Sequence, residues 1–158
     1  MGRIYTVPIN SISVSSIVDI IGIKAGSHDL EVLDFRLGQS NRGQDAQEDE
    51  WAFEFARWGG GYTVGSNGVA LSPQPNMSDD TAATFTARAN DSYPTTNASG
   101  SRYLIEGDSW NVRAQYRPTW LPGLTPKIRP GEAWTMKLTK LPASATIING
   151  TLFVKEGP

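Results

Sequence analysis

A chain of 158 residues with 39% hydrophobic and 19% charged residues, 16 glycines and 10 prolines has the size of one folded domain, many turns, and too much apolar content for disorder. Its 14 basic and 16 acidic side chains leave a formal net charge of -2, so no global field draws in phosphate backbones or anionic lipid, and neither nucleic acid nor membrane is expected as a partner. The absence of cysteine excludes disulfides, thiolate metal sites and cysteine nucleophiles, as suits a chain made in a reducing cytoplasm.

The opening Met1-Gly2-Arg3-Ile4-Tyr5 runs directly into apolar alternation with neither a basic stretch nor a cleavage site, so no secretory leader is expected. No apolar run reaches the roughly 18 residues of a membrane span. Strands are predicted over residues 4–9, 18–24 and 32–37, which are rich in β-branched side chains and bounded by turn formers. The lone histidine, His28, stands in Ser27-His28-Asp29 and reads as a polar turn. Three adjacent residues cannot converge as nucleophile, base and orienter.

Residues 40–50 are polar, contain Gly43 and lack an apolar stripe, which predicts a loop. Asp45, Glu48, Asp49 and Glu50 in it are hard oxygen donors, but their spacing matches no calcium loop. No metal and no cofactor are expected. From Glu50 to Arg57 the period is two, with Trp51, Phe53 and Phe55 on one face of a strand. Two glycine clusters bracket Tyr62-Thr63-Val64, predicting a flexible or hairpin excursion. The prolines of Ser72-Pro73-Gln74-Pro75 exclude a central strand there.

Further strands are predicted over 83–89, 110–117, 134–139 and 147–155, which makes eight, with loops at 93–101 and 118–130. Trp51, Phe53, Phe55, Trp110, Trp134 and Met136 are the predicted core. Eight short strands with long loops predict a single all-β domain over residues 1–158, an antiparallel, jelly-roll-like β-sandwich with an extended N-terminal segment. An immunoglobulin-like sandwich is the alternative.

Of the five tryptophans, Trp58 and Trp120 fall at strand ends or in loops. An aromatic outside the core calls for a partner or a neighbouring loop to cover it. These two, with Leu121 and Leu124 on the same proline-stiffened loop and Arg113 or Arg117 as charged contacts, are the candidate protein-interface residues. No catalytic residues are assigned, since a cupin would need several histidines and carboxylate pairs cannot be placed by sequence.

Leu37-Gly38-Gln39-Ser40 followed by Asp45-Ala46-Gln47-Glu48 resembles a family of small proteins from the structural gene clusters of tailed bacteriophages. The resemblance extends to Arg3-Ile4-Tyr5-Thr6-Val7, Thr84-Phe85-Thr86-Ala87-Arg88-Ala89-Asn90, Arg129-Pro130-Gly131-Glu132 and Gly150-Thr151-Leu152-Phe153-Val154-Lys155-Glu156. It implies a virion component made in the host bacterial cytoplasm. The first choice is a capsid decoration or cement protein on the capsid surface, bound to the major capsid protein and associated with itself as a homotrimer. A tail part or a carbohydrate-binding, receptor-binding module is the competing expectation.

Overall fold

The computed structural model describes residues 2–40, 49–121 and 123–157, and among them every regular element is a strand. In chain order these are β1 (Arg3–Val14), β2 (Asp19–Lys24), β3 (Leu30–Gln39), β4 (Glu50–Gly59), β5 (Tyr62–Thr63), β6 (Val69–Leu71), β7 (Gln74–Pro75), β8 (Thr86–Asp91), β9 (Thr96–Asn97), β10 (Ser101–Asn111), β11 (Lys127–Ile128), β12 (Ala133–Leu138) and β13 (Thr146–Glu156). Their antiparallel ladders build one sheet in the order β11-β3-β13-β1-β7 and a second in the order β10-β4-β12-β2-β8-β6.

Without the short strands between β4 and β10, the sheets read β11-β3-β13-β1 and β10-β4-β12-β2. That is a jelly-roll-like order, in which β1, β3, β11 and β13 face β2, β4, β10 and β12 across the core. The expected all-β sandwich is therefore present. Residues 60–100 form an insertion that widens both sheets. β8 and β6 extend the second sheet beyond β2, β7 adds to β1, and β5 pairs with β9 as a separate two-stranded ribbon. The strand expected over residues 4–9 is present and longer, as β1, which lies between β13 and β7 with Tyr5, Val7 and Ile9 fully buried.

The alternation of apolar residues changes phase inside strands, and a bulge absorbs each change. On β1 the buried set moves from Tyr5, Val7 and Ile9 to Ile12 and Val14, with the register shifting between Ile9 and Ile12. Ser11, at φ 51°, takes the left-handed conformation within that bulge. On β3 the change from Leu30 and Val32 to Phe35 and Leu37 coincides with the shift opposite Phe153 and Val154. An extra residue returns the apolar face to the core that a strict period of two would turn outward.

The six predicted core residues are all buried. Phe55 and Trp134, neighbours across β4 and β12, stack at 5.2 Å and 12°. Phe35 of the opposite sheet meets Trp134 edge-on at 6.5 Å, and Trp51 meets Trp110 edge-on at 5.6 Å.

Two expectations are corrected. The strand predicted over 110–117 ends at Asn111, where the chain turns, with the Ala114 amide donating to the Asn111 carbonyl at 3.0 Å and the Trp110 Nε1 donating to the Ala114 carbonyl at 2.7 Å. Trp110, Val112 and Tyr116 are buried as alternation predicts, but Ala114 is exposed, because a turn and not a strand brings them inward. The strand that does exist, β10, begins within the predicted loop at Ser101. Only Trp110 along it is buried, so it carries no alternation to detect.

The insertion is anchored by two buried carboxylates. Glu156 Oε1 accepts from the Thr84 amide at 3.0 Å and the Thr84 hydroxyl at 2.5 Å. Asp19, 1% exposed, accepts from the Thr95 amide at 2.6 Å, stands opposite Asp91 in the β2–β8 register, and leaves Oδ1 without a partner. Burial pushes its carboxyl up to about 6 from 3.8; the Thr95 hydrogen bonds and Lys137 oppose the shift, and Asp91 adds to it.

Replacing Trp134 with Ala is expected to cost about 3 to 5 kcal/mol through the cavity it leaves. Urea unfolding measures this, and a loss below about 1 kcal/mol would show that the stack is not central. Because the folded pKa of Asp19 lies above the unfolded one, its contribution is fully present below pH 3.8 and is lost as pH rises through about 6. Between pH 4 and 7 the wild type should lose about 2 kcal/mol relative to Asp19→Asn. Parallel unfolding curves for the two proteins across that range would contradict it.

Candidate protein-contact edge

The six candidate interface residues do not form one patch. Trp58 is 3% exposed, which corrects the expectation that it lies outside the core. It faces away from the sandwich interior and joins Ala56, Ala133 and Tyr62 in a second apolar cluster on the outer side of the second sheet. Its Nε1 donates to Thr135 Oγ1 at 2.8 Å, the Tyr62 hydroxyl donates to the Gly131 carbonyl at 2.8 Å, and the Arg102 guanidinium lies 5.4 Å over the Trp58 ring. The polarity of the indole is satisfied and its faces are covered, so nothing about Trp58 requires a partner.

Trp120 is half-buried and turns inward, edge-on to Phe55 at 6.3 Å. Arg117 is held within the chain, with Nε donating to Asp34 Oδ1 at 3.0 Å while Arg36 Nε donates to Oδ2 at 3.0 Å. Burial would raise the Asp34 carboxyl, but the hydrogen bonds and charges of Arg117 and Arg36 outweigh it and hold the group below its ordinary range. Arg113 is exposed in the turn after β10, its amide donating to Asn111 Oδ1 at 3.0 Å. Leu121 and Leu124 remain 65% and 66% exposed.

Of the acidic cluster, Asp45 and Glu48 lie outside the described residues. Asp49 is buried and accepts from Trp51 Nε1 at 3.0 Å and the Ala143 amide at 2.8 Å, which is a structural task, while Glu50 is exposed. His28 lies in a bend between β2 and β3.

What the sequence reading missed is the strand beside the two leucines. A sandwich has four sheet edges, and a long unpaired edge is a template for association unless it is shortened, bulged or covered. Three of the edges here are short: β11 and β6 have two and three residues, and β7 has two including Pro75. The fourth, β10, has 11 residues and pairs only with β4 among the described residues. Along it Tyr103, Leu104 and Ile105 are exposed.

The register shifts between Leu104 and Glu106, leaving Ile105 without a partner on β4. Behind the apolar triplet, Arg57 lies 4.8 Å over the Tyr103 ring, and Arg102 forms an ion pair with Glu54. The loop from β10 to β11 crosses to the other sheet along the same side of the sandwich, where Trp120 reaches Phe55, the register partner of Glu106. Among the described residues, five of the twelve large exposed hydrophobic ones, Tyr103, Leu104, Ile105, Leu121 and Leu124, therefore belong to this one edge strand and its following loop. Tyr103-Leu104-Ile105 between Gly100 and Gly107 is the signal that could have located the strand, as a short apolar run bounded by glycine.

Compared with protein-family models, with curated proteins and with solved structures, the chain gives no match.

If the edge is unpartnered within the chain, polar substitution there should be nearly neutral to folding. Leu104→Gln and Ile105→Thr are each expected to change stability by no more than about 0.5 kcal/mol, while binding of a hydrophobic dye to the folded protein falls. A loss of 2 kcal/mol or more in urea unfolding would place these side chains in a core contact.

Proposed function

We propose that the chain is a structural protein of a tailed-bacteriophage virion, a capsid decoration protein that binds the major capsid protein on the outside of the shell and stabilises it. The single observation that carries a binding role is the concentration of exposed apolar side chains on the β10 edge and its following loop. The phage assignment rests on the resemblance quoted from the sequence. A rigid sandwich that presents Leu121 and Leu124 on a loop loses little ordering entropy when it docks. A protein that binds the expanded shell in preference to other states stabilises that state by mass action. The trimer implied by the resemblance belongs to the same proposal.

A carbohydrate-binding or receptor-binding part of the tail is the second reading. It is favoured by an open groove of about 430 Å³ beside β3 and β13, lined by Asn10, Arg36, Gln115 and Asn149. Planar amides and a guanidinium suit the hydroxyls of a sugar better than an apolar protein surface.

The test is binding to particles that lack the protein, with the copy number read by quantitative mass spectrometry. Hundreds of copies per particle are expected for decoration, and a handful would point to the tail. A Leu121→Asp, Leu124→Asp double variant should keep its melting temperature within a few degrees and lose particle binding at least tenfold. Full retention of binding would remove this loop from the contact. Saturable binding of a glycan with no affinity for particles would favour the second reading.

A further inference from the structure

We infer that the end of the sandwich where β3, β11 and β13 lie side by side is a binding site for a small phosphate-bearing molecule, gripped by Arg57, Lys127, Arg129 and Lys155. The inference is independent of the shell-binding proposal.

Strand pairing brings these cations together from distant parts of the chain. Lys127 of β11 and Lys155 of β13 each stand opposite Glu31 of β3, so two lysines flank one carboxylate on one face of the first sheet. Arg129 follows β11 directly. Arg57 arrives from the second sheet, two residues beyond Phe55 and in register with Trp134. Alternation calls for an apolar residue at that position, and the chain sets a guanidinium there. The four side chains line an open groove of about 440 Å³, within the roughly 300 to 1,000 Å³ of small-molecule sites.

Their charges are largely unanswered within the chain. Among the described residues, the side chains of Lys127, Arg129 and Lys155 form no hydrogen bond and no ion pair. Arg57 Nε is shielded from solvent and donates to no acceptor among them. Glu132 Oε2 lies 3.9 Å from it, beyond hydrogen-bond reach, and accepts instead from the Arg129 amide at 3.0 Å. The Arg57 guanidinium lies 4.8 Å over the Tyr103 ring, which positions the group without neutralising it. Two carboxylates, Asp29 and Glu31, share the groove, and Glu31 Oε1 accepts from the Thr125 hydroxyl at 2.5 Å. Four cations against two carboxylates make this end positive in a chain whose net charge is -2.

The donor set selects the ligand. Two guanidiniums offer forked N–H pairs that match phosphate oxygens, and two ammoniums add point charges that suit a dianion better than a single carboxylate. Gly2, also in the lining, leaves the space in which Lys155 lies, because a Cβ there would come within 2.7 Å of Lys155 Cε. A nucleic-acid backbone calls for a stripe of cations along a face. Here they converge on one groove that also holds two carboxylates, which favours a small ligand.

Inorganic pyrophosphate is the probe, and calorimetric titration of the full chain at low salt should give one saturable site. Lys127 and Arg129 are exposed, so Lys127→Gln and Arg129→Gln should keep the melting temperature of the wild type. Each should weaken binding about tenfold, as expected for loss of one charge-assisted hydrogen bond. Lys140→Gln is the control, since Lys140 Nζ donates to the Glu50 carbonyl at the opposite end of β4 from Arg57, and its affinity should match the wild type. No saturable binding by the wild type overturns the inference. Equal weakening by all three variants overturns it too, as the mark of diffuse attraction between charges. Tighter binding of a single-stranded oligonucleotide, lost in the same two variants, overturns it in favour of a nucleic-acid surface.

Discussion

The stack of Phe55 on Trp134 is the contact on which the rest of the molecule depends. It joins β4 to β12 in the middle of the second sheet. Phe35 reaches it from the first sheet, and Trp120 reaches it from the loop that closes one side of the sandwich. Both layers and the crossing loop thus meet on two rings. Large aromatic side chains bury more area than any others, and their edge-on contacts add to that gain. The position of the edge loop, and with it the exposure of Leu121 and Leu124, follows from Trp120 being held on Phe55.

Sheet edges supply the second constraint. Three are short, and β7 contains a proline that cannot donate to a further strand. The insertion between β4 and β10 is what places β6 and β7 at those edges, so one segment limits the open ends of both sheets. It does nothing for β10, which follows the insertion and flanks β4 on the opposite side of the second sheet. The exposed apolar triplet lies where the architecture provides no further strand, and this is why the proposed binding role rests on it.

The insertion covers a second, smaller apolar cluster. Trp58 and Ala133 are covered by Tyr62 on the outer side of the second sheet, so that sheet is apolar on both faces around β4 and β12. The buried Asp19 holds the Thr95 amide at the base of the same insertion. A desolvated carboxylate is a costly anchor unless it is protonated or well bonded. The stability of this region is therefore linked to pH through Asp19.

Much of the sandwich is legible in the residues alone. Trp51, Phe53 and Phe55 alternate, and Trp134, Met136 and Leu138 do the same, because a strand with one buried face must repeat every two residues. From such segments the all-β class, most of the strands, and the five aromatics and one methionine of the predicted core follow. Alternation reports burial and not conformation, so the turn after Asn111 passes for a strand, since Trp110, Val112 and Tyr116 are buried either way. An edge strand with both faces largely exposed has no alternation, so residues 102–109 of β10 are assigned to no element. Position relative to a strand end cannot tell a covered tryptophan from an exposed one. Trp58 became a buried residue only when the segment carrying Tyr62, contributed by the insertion, folded over the outer face of the sheet. Which residues are apolar was determined by the sequence, and which of them remain unpartnered was decided by the order of strands in the two sheets, because exposure is set by what packs against a residue from distant parts of the chain.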